Sequence, residues 1–327
     1  MRVSKVRTCG LIVALCGLAT TAITRADSLI STTRPTITIA AIALRPWIPK
    51  GFHEIRDIPY VPHAKRSQTL DVYVPDVATP SRPVMVWIHG GGWSSGDKSA
   101  PPGMGLLLRG YVVVSINYRF SSEALFPAQI FDCKAAVRFL RARAREFDID
   151  PMRIGVWGDS AGGQLASLMG TTNGRPEYEG SEGNPGFSSQ VQAVCDWFGP
   201  SDFLQTADIK GASAGAVKSL FGGMVSVHSA AAIFASPCEQ VGHAPLVPFL
   251  IMHGALDQLV PMHQSRILFD RLQKAGASAK LVILPNSGHG NGWFRSRDNL
   301  FMVYDFFDRC LRKSQGRAQV PTTRPTT

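Results

Sequence analysis

Apolar residues along this chain follow two patterns that differ in length and spacing. One pattern consists of runs of five to seven nearly continuous apolar positions, bounded by glycine, proline or polar residues. Runs of this kind are typical of strands that are buried on both faces of a sheet. They predict seven strands, at 70–74, 84–88, 112–116, 153–157, 191–197, 248–253 and 280–284.

The second pattern is longer and repeats its apolar positions every three or four residues, as one face of a helix does. It predicts helices at 128–147, 165–170, 263–275 and 299–311, which alternate with several of the strands. Buried strands that alternate with helices favour an α/β fold, with a doubly wound, mostly parallel sheet covered on both faces. Ligands of such sheets bind beyond the carboxyl ends of the strands, so residues just after each run are candidates for chemistry.

The two ends of the chain differ from this central region. Residues 1–26 combine a basic start, a short apolar run and the small-residue site Thr24-Arg25-Ala26, which is typical of a secretory signal peptide. An uncleaved membrane anchor is the alternative, although the apolar run is shorter than the ~20 residues that span a bilayer. We expect 27–50 to be a linker, 51–312 to be the folded domain and 313–327 to be a disordered tail.

Charge adds little to this picture. The 327 residues carry a formal net charge of +10, and loss of 1–26 would remove four basic residues and leave +6. One arginine cluster, at 138, 141, 143 and 145, falls in a predicted helix, and we expect it mostly on the solvated face. The remaining basic residues are spread out, so the sequence predicts no nucleic-acid partner.

The cysteines indicate neither a metal site nor a disulfide framework. Four of the six follow the predicted signal peptide, namely Cys133, Cys195, Cys238 and Cys310. Cys133 and Cys310 fall on apolar helical stripes and are predicted to be buried thiols, whereas Cys238 falls in a predicted loop. An exported domain of this size does not need disulfides, and no Cys and His spacing resembles a metal site.

The segment Gly158-Asp159-Ser160-Ala161-Gly162 stands between a predicted strand and a predicted helix. A serine on a sharp strand-to-helix turn has a strained backbone, and glycines two positions before and after it prevent a collision. Ser160 is therefore a candidate nucleophile.

A second glycine-rich segment, His89-Gly90-Gly91-Gly92-Trp93, follows the predicted strand 84–88. Consecutive glycines leave backbone N–H groups free to approach a substrate oxygen, as stabilisation of a tetrahedral oxyanion requires. A phosphate-binding loop is the alternative, but no Gly-Lys-Ser/Thr sequence follows.

An acid and a base follow two later strands. Asp257 comes shortly after the strand at 248–253, and His289 follows the strand at 280–284. A serine hydroxyl becomes a good nucleophile when an imidazole takes its proton, and a carboxylate must hold that imidazole in one tautomer. The order Ser160, Asp257, His289 is that of α/β-hydrolases. The sequence therefore predicts a catalytic triad of these three residues, whereas each one alone has a structural interpretation, such as a helix cap for Asp257.

Taken together, these motifs resemble those of the hormone-sensitive-lipase-like esterases, which have the α/β-hydrolase fold. Additional segments make the chain more similar to the bifunctional feruloyl and acetyl-xylan esterases, over about residues 53–312. They are Asn117-Tyr118-Arg119, Phe126-Pro127-Ala128, Ala235-Ser236-Pro237 and Asp196-Trp197-Phe198-Gly199-Pro200-Ser201-Asp202.

The resemblance implies that the backbone amides of Gly91, Gly92 and Ala161 form the oxyanion hole. It also implies that Asp159 is structural and that Trp93 borders the substrate. Trp93 and Trp197 each follow a predicted strand and are candidates to stack on an aromatic acyl group or a sugar, with simple packing as the alternative.

These observations predict a secreted or periplasmic carboxylic ester hydrolase with an α/β-hydrolase catalytic domain and no cofactor. The expected substrates are short acyl esters, with acetyl or feruloyl groups on plant polysaccharide as candidates, because the Gly- and Ala-rich cap at 206–227 offers little apolar surface. A serine exopeptidase of the same fold and a non-catalytic binding protein are the alternatives. No membrane partner is expected once the signal peptide is removed, and the oligomeric state is left open.

Overall fold

The strands of the protein follow the continuous apolar runs closely. The computed structural model describes residues 46–312 except 80, 206–208, 210, 225–228 and the side chains of 211 and 212. The expected signal peptide, most of the linker and the tail therefore lie outside the described residues. Eight strands form one sheet: β1 Phe52–Pro59, β2 Thr69–Pro75, β3 Arg82–Ile88, β4 Val112–Ile116, β5 Ile149–Asp159, β6 Ala193–Trp197, β7 Phe249–Gly254 and β8 Ala279–Leu284.

The order of strands across the sheet is β1-β2-β4-β3-β5-β6-β7-β8. β1 and β2 pair antiparallel with their neighbours, and every pairing from β4 to β8 is parallel. β3 lies between β4 and β5 in the sheet, and the chain goes from β3 to β4 and then crosses to β5 on the other side of β3. The connections that follow β3 and β5 therefore run in opposite directions across the sheet and leave a crevice between them. This is the switch point at which open α/β sheets bind ligands.

Helices cover both faces of the sheet, as predicted. They are α1 Ala128–Ala142, α2 Ala161–Thr171, α3 Gly211–Phe221, α4 Ala230–Ala235, α5 Pro237–Gln240, α6 His263–Lys274 and α7 Arg297–Leu311, with 3-10 helices at Arg66–Gln68, Pro102–Arg109, Pro176–Tyr178 and Gly292–Arg295. Along β3, Val86 and Ile88 join the core on one face while Met85 and Trp87 join the core on the other. Alternation between two cores explains why the strands read as continuous apolar runs.

The structure differs from the sequence prediction at several elements. β1 was not predicted, because it is an edge strand with mostly exposed residues and an irregular register between Ile55 and Ile58. The first helix ends at Ala142 instead of 147, and the second begins at Ala161, directly after the serine turn. The predicted cap contains α3, one face of which buries Val217 and Leu220.

One prediction about an individual side chain was wrong, and one arginine departs from its cluster. Arg143 and Arg145 are exposed as expected, but Arg138 is buried and donates hydrogen bonds to the carbonyls of Glu179 and Gly183. Cys238 was expected in a loop, but it is buried on α5. Cys133, Cys195, Cys238 and Cys310 are all free thiols.

None of the helices in the described part of the chain is long and apolar enough to span a membrane.

Candidate active site

Ser160 occupies the turn between β5 and α2. Its backbone has φ 51° and ψ −118°, a conformation that residues other than glycine rarely adopt. A hydrogen bond from the Ser160 N–H to the carbonyl of Trp197 on the neighbouring strand, at 2.8 Å, holds this turn in place. The hydroxyl consequently stands at the carboxyl edge of the sheet.

The glycines on either side of Ser160 are required by close backbone contacts. A Cβ at Gly158 would lie 2.1 Å from the carbonyl oxygen of Gly162, and a Cβ at Gly162 would lie 2.0 Å from that of Ile88. No side-chain adjustment relieves contacts between backbone atoms. The two glycines therefore allow the turn to close on itself and to pack against β3.

Ser160, His289 and Asp257 are joined by hydrogen bonds. His289 Nε2 lies 2.9 Å from Ser160 Oγ, and His289 Nδ1 lies 2.8 Å from Asp257 Oδ2. β7 and β8 are neighbours, and the N–H of Leu256 donates to the carbonyl of Ser287, so the loops that carry the acid and the histidine run side by side. The arrangement allows the imidazole to take the serine proton at one nitrogen while the carboxylate fixes the other.

The carboxylate of Asp257 is fully buried and accepts hydrogen bonds at both oxygens. Oδ1 accepts the backbone N–H groups of Leu259 and Val260 at 2.9 and 3.0 Å. Burial by itself raises the pKa of Asp257, but hydrogen bonds from His253 and His289 and the backbone outweigh it and hold that pKa well below the usual value. Asp257 is therefore ionised throughout the neutral range.

His253 contacts the same carboxylate oxygen of Asp257 as His289 does. Its Nε2 is 2.9 Å from the carbonyl of Val260 and 3.3 Å from Asp257 Oδ2, while its Nδ1 is 2.7 Å from the hydroxyl of Ser265. Because Nε2 faces two acceptors, it carries the proton and donates to both.

The three predicted oxyanion donors lie around the serine. Gly91 and Gly92 line the same cavity as Ser160, and Ala161 is the first residue of α2, where a backbone N–H has no partner within the helix. Gly91 has φ +112°, and its carbonyl accepts the N–H groups of Ser94 and Ser95, which folds the loop back on itself.

His89, which is buried, and Asp159, which is partly buried, lie at the base of this loop. His89 donates from Nδ1 to the carbonyl of Gly90 at 2.7 Å and stacks on Tyr118, and burial lowers its pKa. Burial raises the pKa of Asp159, although an N–H hydrogen bond from Gly90 and the charge of Arg295 act in the opposite direction. Both side chains lie beside the glycine loop and fix its course.

A cavity of about 600 Å³ opens above Ser160. Its lining includes Phe198, which packs against the ring of His289 with centroids 4.7 Å apart, and Leu259 from the acid loop. Of the described side chains of α3, the short ones of Ser213 and Ala216 line the cavity. The site therefore combines a small apolar surface with a hydrogen-bonded serine.

The two tryptophans that were candidates for substrate stacking are buried away from this cavity. Trp197 packs edge-on against Trp87 and Trp157 in the core beneath α7. Trp93 is only 4% exposed, and its indole N–H donates to Gln164 at 3.0 Å. The structure thus gives both indoles packing roles, because each points back into the core from the end of its loop or strand.

One group of potential metal ligands is present among the described residues, namely Asp202, Cys238 and Glu239. The oxygens of Asp202 already accept hydrogen bonds from the N–H of Leu204 and the amide of Gln205. Burial raises the pKa of the Cys238 thiol, which disfavours the thiolate that metals prefer. We assign no metal to this group.

A mostly parallel sheet with a serine turn after β5, an acid after β7 and a histidine after β8 defines the class of protein. The chain has the α/β-hydrolase fold, as the sequence predicted. Among solved structures, a carbohydrate esterase from gut microbiota is 33% identical, with a TM-score of 0.73, over 80% of this chain and 97% of that one. A bifunctional GH43-CE protein of Bacteroides eggerthii is 35% identical, with a TM-score of 0.73, over 78% of this chain and 35% of that one.

Residues 70–272 match the BD-FAE family, and the chain belongs to it. This confirms the resemblance to feruloyl and acetyl-xylan esterases. Two curated relatives from Mycobacterium tuberculosis are the probable carboxylic ester hydrolase LipM, 34% identical over 64% of this chain and 49% of the relative, and the esterase LipC, 33% identical over 68% and 57%. The chain thus spans about half the length of the curated relatives it matches.

Proposed function

We propose that the protein is a carboxylic ester hydrolase that acts by acylation and deacylation of Ser160. The observation that carries this proposal is the hydrogen-bonded series Ser160, His289, Asp257 at the floor of an open cavity. Membership of the BD-FAE family and the ester hydrolases among its relatives support it.

In the first half of the reaction, His289 Nε2 takes the hydroxyl proton as Ser160 Oγ attacks the ester carbonyl carbon. The amides of Gly91, Gly92 and Ala161 donate to the oxygen that becomes negative. When the carbon–oxygen bond to the alcohol breaks, His289 returns the proton to the leaving oxygen, which releases the alcohol.

Deacylation repeats these steps with water. His289 takes a proton from water, the resulting nucleophile attacks the acyl carbon, and Ser160 leaves with that proton. The products are a carboxylic acid and free enzyme, so the balance requires only ester and water. Throughout, Asp257 keeps the Nδ1–H of His289 directed toward itself and stabilises the charged imidazolium.

The proposed substrates are short acyl esters, including acetyl and feruloyl esters on polysaccharide. The side chains that α3 contributes to the cavity, Ser213 and Ala216, offer few apolar contacts for a long chain. A buried methylene contributes about 0.8 kcal/mol, so a preference for long chains would require a larger apolar trough. The structural relatives that are described as carbohydrate esterases support a sugar-linked substrate.

Turnover of nitrophenyl esters by the wild type and by Ser160→Ala tests the reaction. We expect the variant to lose at least three orders of magnitude in kcat with an unchanged circular dichroism spectrum. Ser219→Ala, on the exposed face of α3, is the control. A folded Ser160→Ala variant that kept a tenth of the activity would exclude this nucleophile.

Chain-length dependence tests the substrate class. Rates on acetate through palmitate esters should fall beyond about four to six carbons. A maximum at ten or more carbons would place the protein with long-chain lipases instead, and hydrolysis of a dipeptide amide faster than of acetate esters would favour the exopeptidase alternative.

A further inference from the structure

The segment that follows His289 contains an arginine and a tryptophan that the reaction above does not use. Gly290 and Arg295 line the catalytic cavity, and Arg295 is the last residue of the 3-10 helix Gly292–Arg295. Sequence analysis did not select either Arg295 or Trp293.

Among the described residues that line this cavity, Arg295 is the one lysine or arginine. In the part of the chain that the structure describes, its guanidinium has neither an ion pair nor a hydrogen bond. Other arginines of the domain form ion pairs, for example Arg119 with Asp132 and Arg109 with Asp308. A cation that faces a substrate cavity without a partner in the protein is available to an anion.

Trp293 lies two residues before Arg295 and is 58% exposed. The turn that presents it is fixed: the N–H of Trp293 donates to Asn291, and the amide of Asn299 donates to the Trp293 carbonyl. Phe294, between the two, is buried against Phe198 and Trp197. An exposed indole on a fixed turn offers a preformed surface for the apolar face of a sugar ring.

The chemistry of the reaction places the alcohol part of the substrate on this side of the cavity. His289 must hand its proton to the leaving alcohol oxygen, so the alcohol lies near His289 Nε2. The oxyanion donors, Gly91 and Gly92, line the cavity from the other loop. The residues just after His289 are therefore suited to contact the leaving group.

We propose that Trp293 and Arg295 form a subsite for the leaving alcohol of an acyl ester in which that alcohol is a sugar bearing a carboxylate, that is, an acylated uronic acid. The guanidinium binds the carboxylate through its planar pair of N–H donors, and the indole stacks on the ring. This inference rests on the proposed ester hydrolase function and specifies the substrate class of the same site.

Two carboxyl groups also line the cavity among the described residues. The carboxylate of Asp97 accepts the N–H of Ser99 at 2.8 Å, and Asp97 lines the cavity together with the glycine loop. Asp159 is partly buried, and desolvation raises its pKa in spite of the charge of Arg295. The positive charge beside His289 is thus not neutralised by a direct ion pair with either acid.

The test compares two acetyl esters that differ in one group. Methyl glucosiduronic acid and methyl glucoside, acetylated at the same ring hydroxyl, differ only by a carboxylate in place of a hydroxymethyl group. At pH 7 and low salt we expect the wild-type kcat/KM to favour the uronate by about fivefold, a magnitude typical of a partly exposed ion pair. The preference should reside in KM and should shrink in 1 M salt.

Arg295→Gln should bring the ratio of the two kcat/KM values close to one. Arg297→Gln is the matched control, because Arg297 is exposed on the next turn and does not line the cavity, and its ratio should equal that of the wild type. Trp293→Ala should raise KM about fivefold for both sugar esters, whereas Trp47→Ala, at another exposed indole, should not.

The outcomes separate the inference from the function on which it rests. A wild type that hydrolyses nitrophenyl acetate but shows no preference for the uronate overturns this subsite alone. Loss of the preference to the same extent in Arg297→Gln also overturns it, since that result would indicate general charge steering. A wild type that does not hydrolyse nitrophenyl acetate contradicts the proposed function instead.

Discussion

The two halves of the catalytic edge hold their reactive groups by different physical means. In the glycine half, formed by the loops 89–92 and 158–163, backbone packs so closely against backbone that a Cβ added at Gly162 would lie 2.0 Å from the Ile88 carbonyl oxygen. In the carboxylate half, formed by the loops 253–260 and 287–290, side chains meet through hydrogen bonds of 2.8 to 3.3 Å. Sterics therefore fix the position of Ser160, and hydrogen bonds fix those of His289 and Asp257.

One carboxyl group in each half makes the contrast clear. In the glycine half, Asp159 has an Oδ1 atom without a hydrogen-bond partner among the described residues, and burial raises its pKa. In the carboxylate half, Asp257 accepts hydrogen bonds at both oxygens, and its pKa is lowered. Burial of a carboxyl group thus has opposite consequences depending on how many donors surround it.

The largest effect is expected when the carboxylate half loses its charge. Asp257→Asn should lower kcat for nitrophenyl acetate by about four orders of magnitude, because an amide no longer fixes the Nδ1–H tautomer of His289. Stopped assays with nitrophenyl acetate measure the loss. Asp305→Asn, at an exposed acid on α7, should leave kcat unchanged, and a similar loss in both variants would contradict this role for Asp257.

A methyl group added to the glycine half should act on folding. Gly162→Ala should destabilise the protein by about 3 kcal/mol, the upper range for overpacking, because the new Cβ meets the Ile88 carbonyl. Gly215→Ala is the matched control: Gly215 also lies in a helix, with open space around it, and should gain up to about 1 kcal/mol. Urea unfolding measures both, and equal stabilities would show that the turn yields easily.

The same contrast explains how far the sequence predicted the fold. Strands buried on both faces, such as β4, were predicted with the observed bounds because neither face is polar. β1 was missed because an exposed edge strand needs few apolar residues, and Asp57 interrupts it with φ 52°. The short cap helix α3 was not assigned because its Gly- and Ala-rich sequence lacks a clear apolar stripe.

Within the site, the motif residues could be predicted because sterics and proton transfer restrict residue type. Ser160, Asp257 and His289 carry both motif and strand-end position, and the structure brings them together. The tryptophans could not be placed, since a strand-end position does not tell whether a side chain turns toward the core or the cavity. Arg295 belongs to no motif, and its position six residues after His289 was the one sequence feature that could have indicated its place in the cavity.

His253 provides a smaller test within the carboxylate half. His253→Leu removes the Nε2–H that donates to Asp257 and should lower kcat about tenfold, as the loss of a hydrogen bond to a reactive group often does. His253→Gln restores a donor near the position of Nε2 and should recover most of the loss. Both variants leave Ser265 without its imidazole partner, so equal kcat values for the two would show that the effect is only structural.

The smallest expected effect concerns stability against pH, and its sign differs between the halves. Because the folded pKa of Asp159 is raised, the wild type loses stability as pH rises from the ordinary carboxyl value near ~4 through that higher pKa. Asp159→Asn lacks this loss, so its free energy of unfolding should increase relative to the wild type across that window.

The folded pKa of Asp257 is lowered, so the contribution of its carboxylate to stability is complete above pH ~4 and is lost as pH falls through the folded value. Asp257→Asn should therefore approach the wild type in stability only below pH ~4. Urea unfolding of all three proteins from pH 2.5 to 7 tests this, and differences from the wild type that run in the same direction for both variants would show that the two carboxyl groups do not differ as the structure indicates.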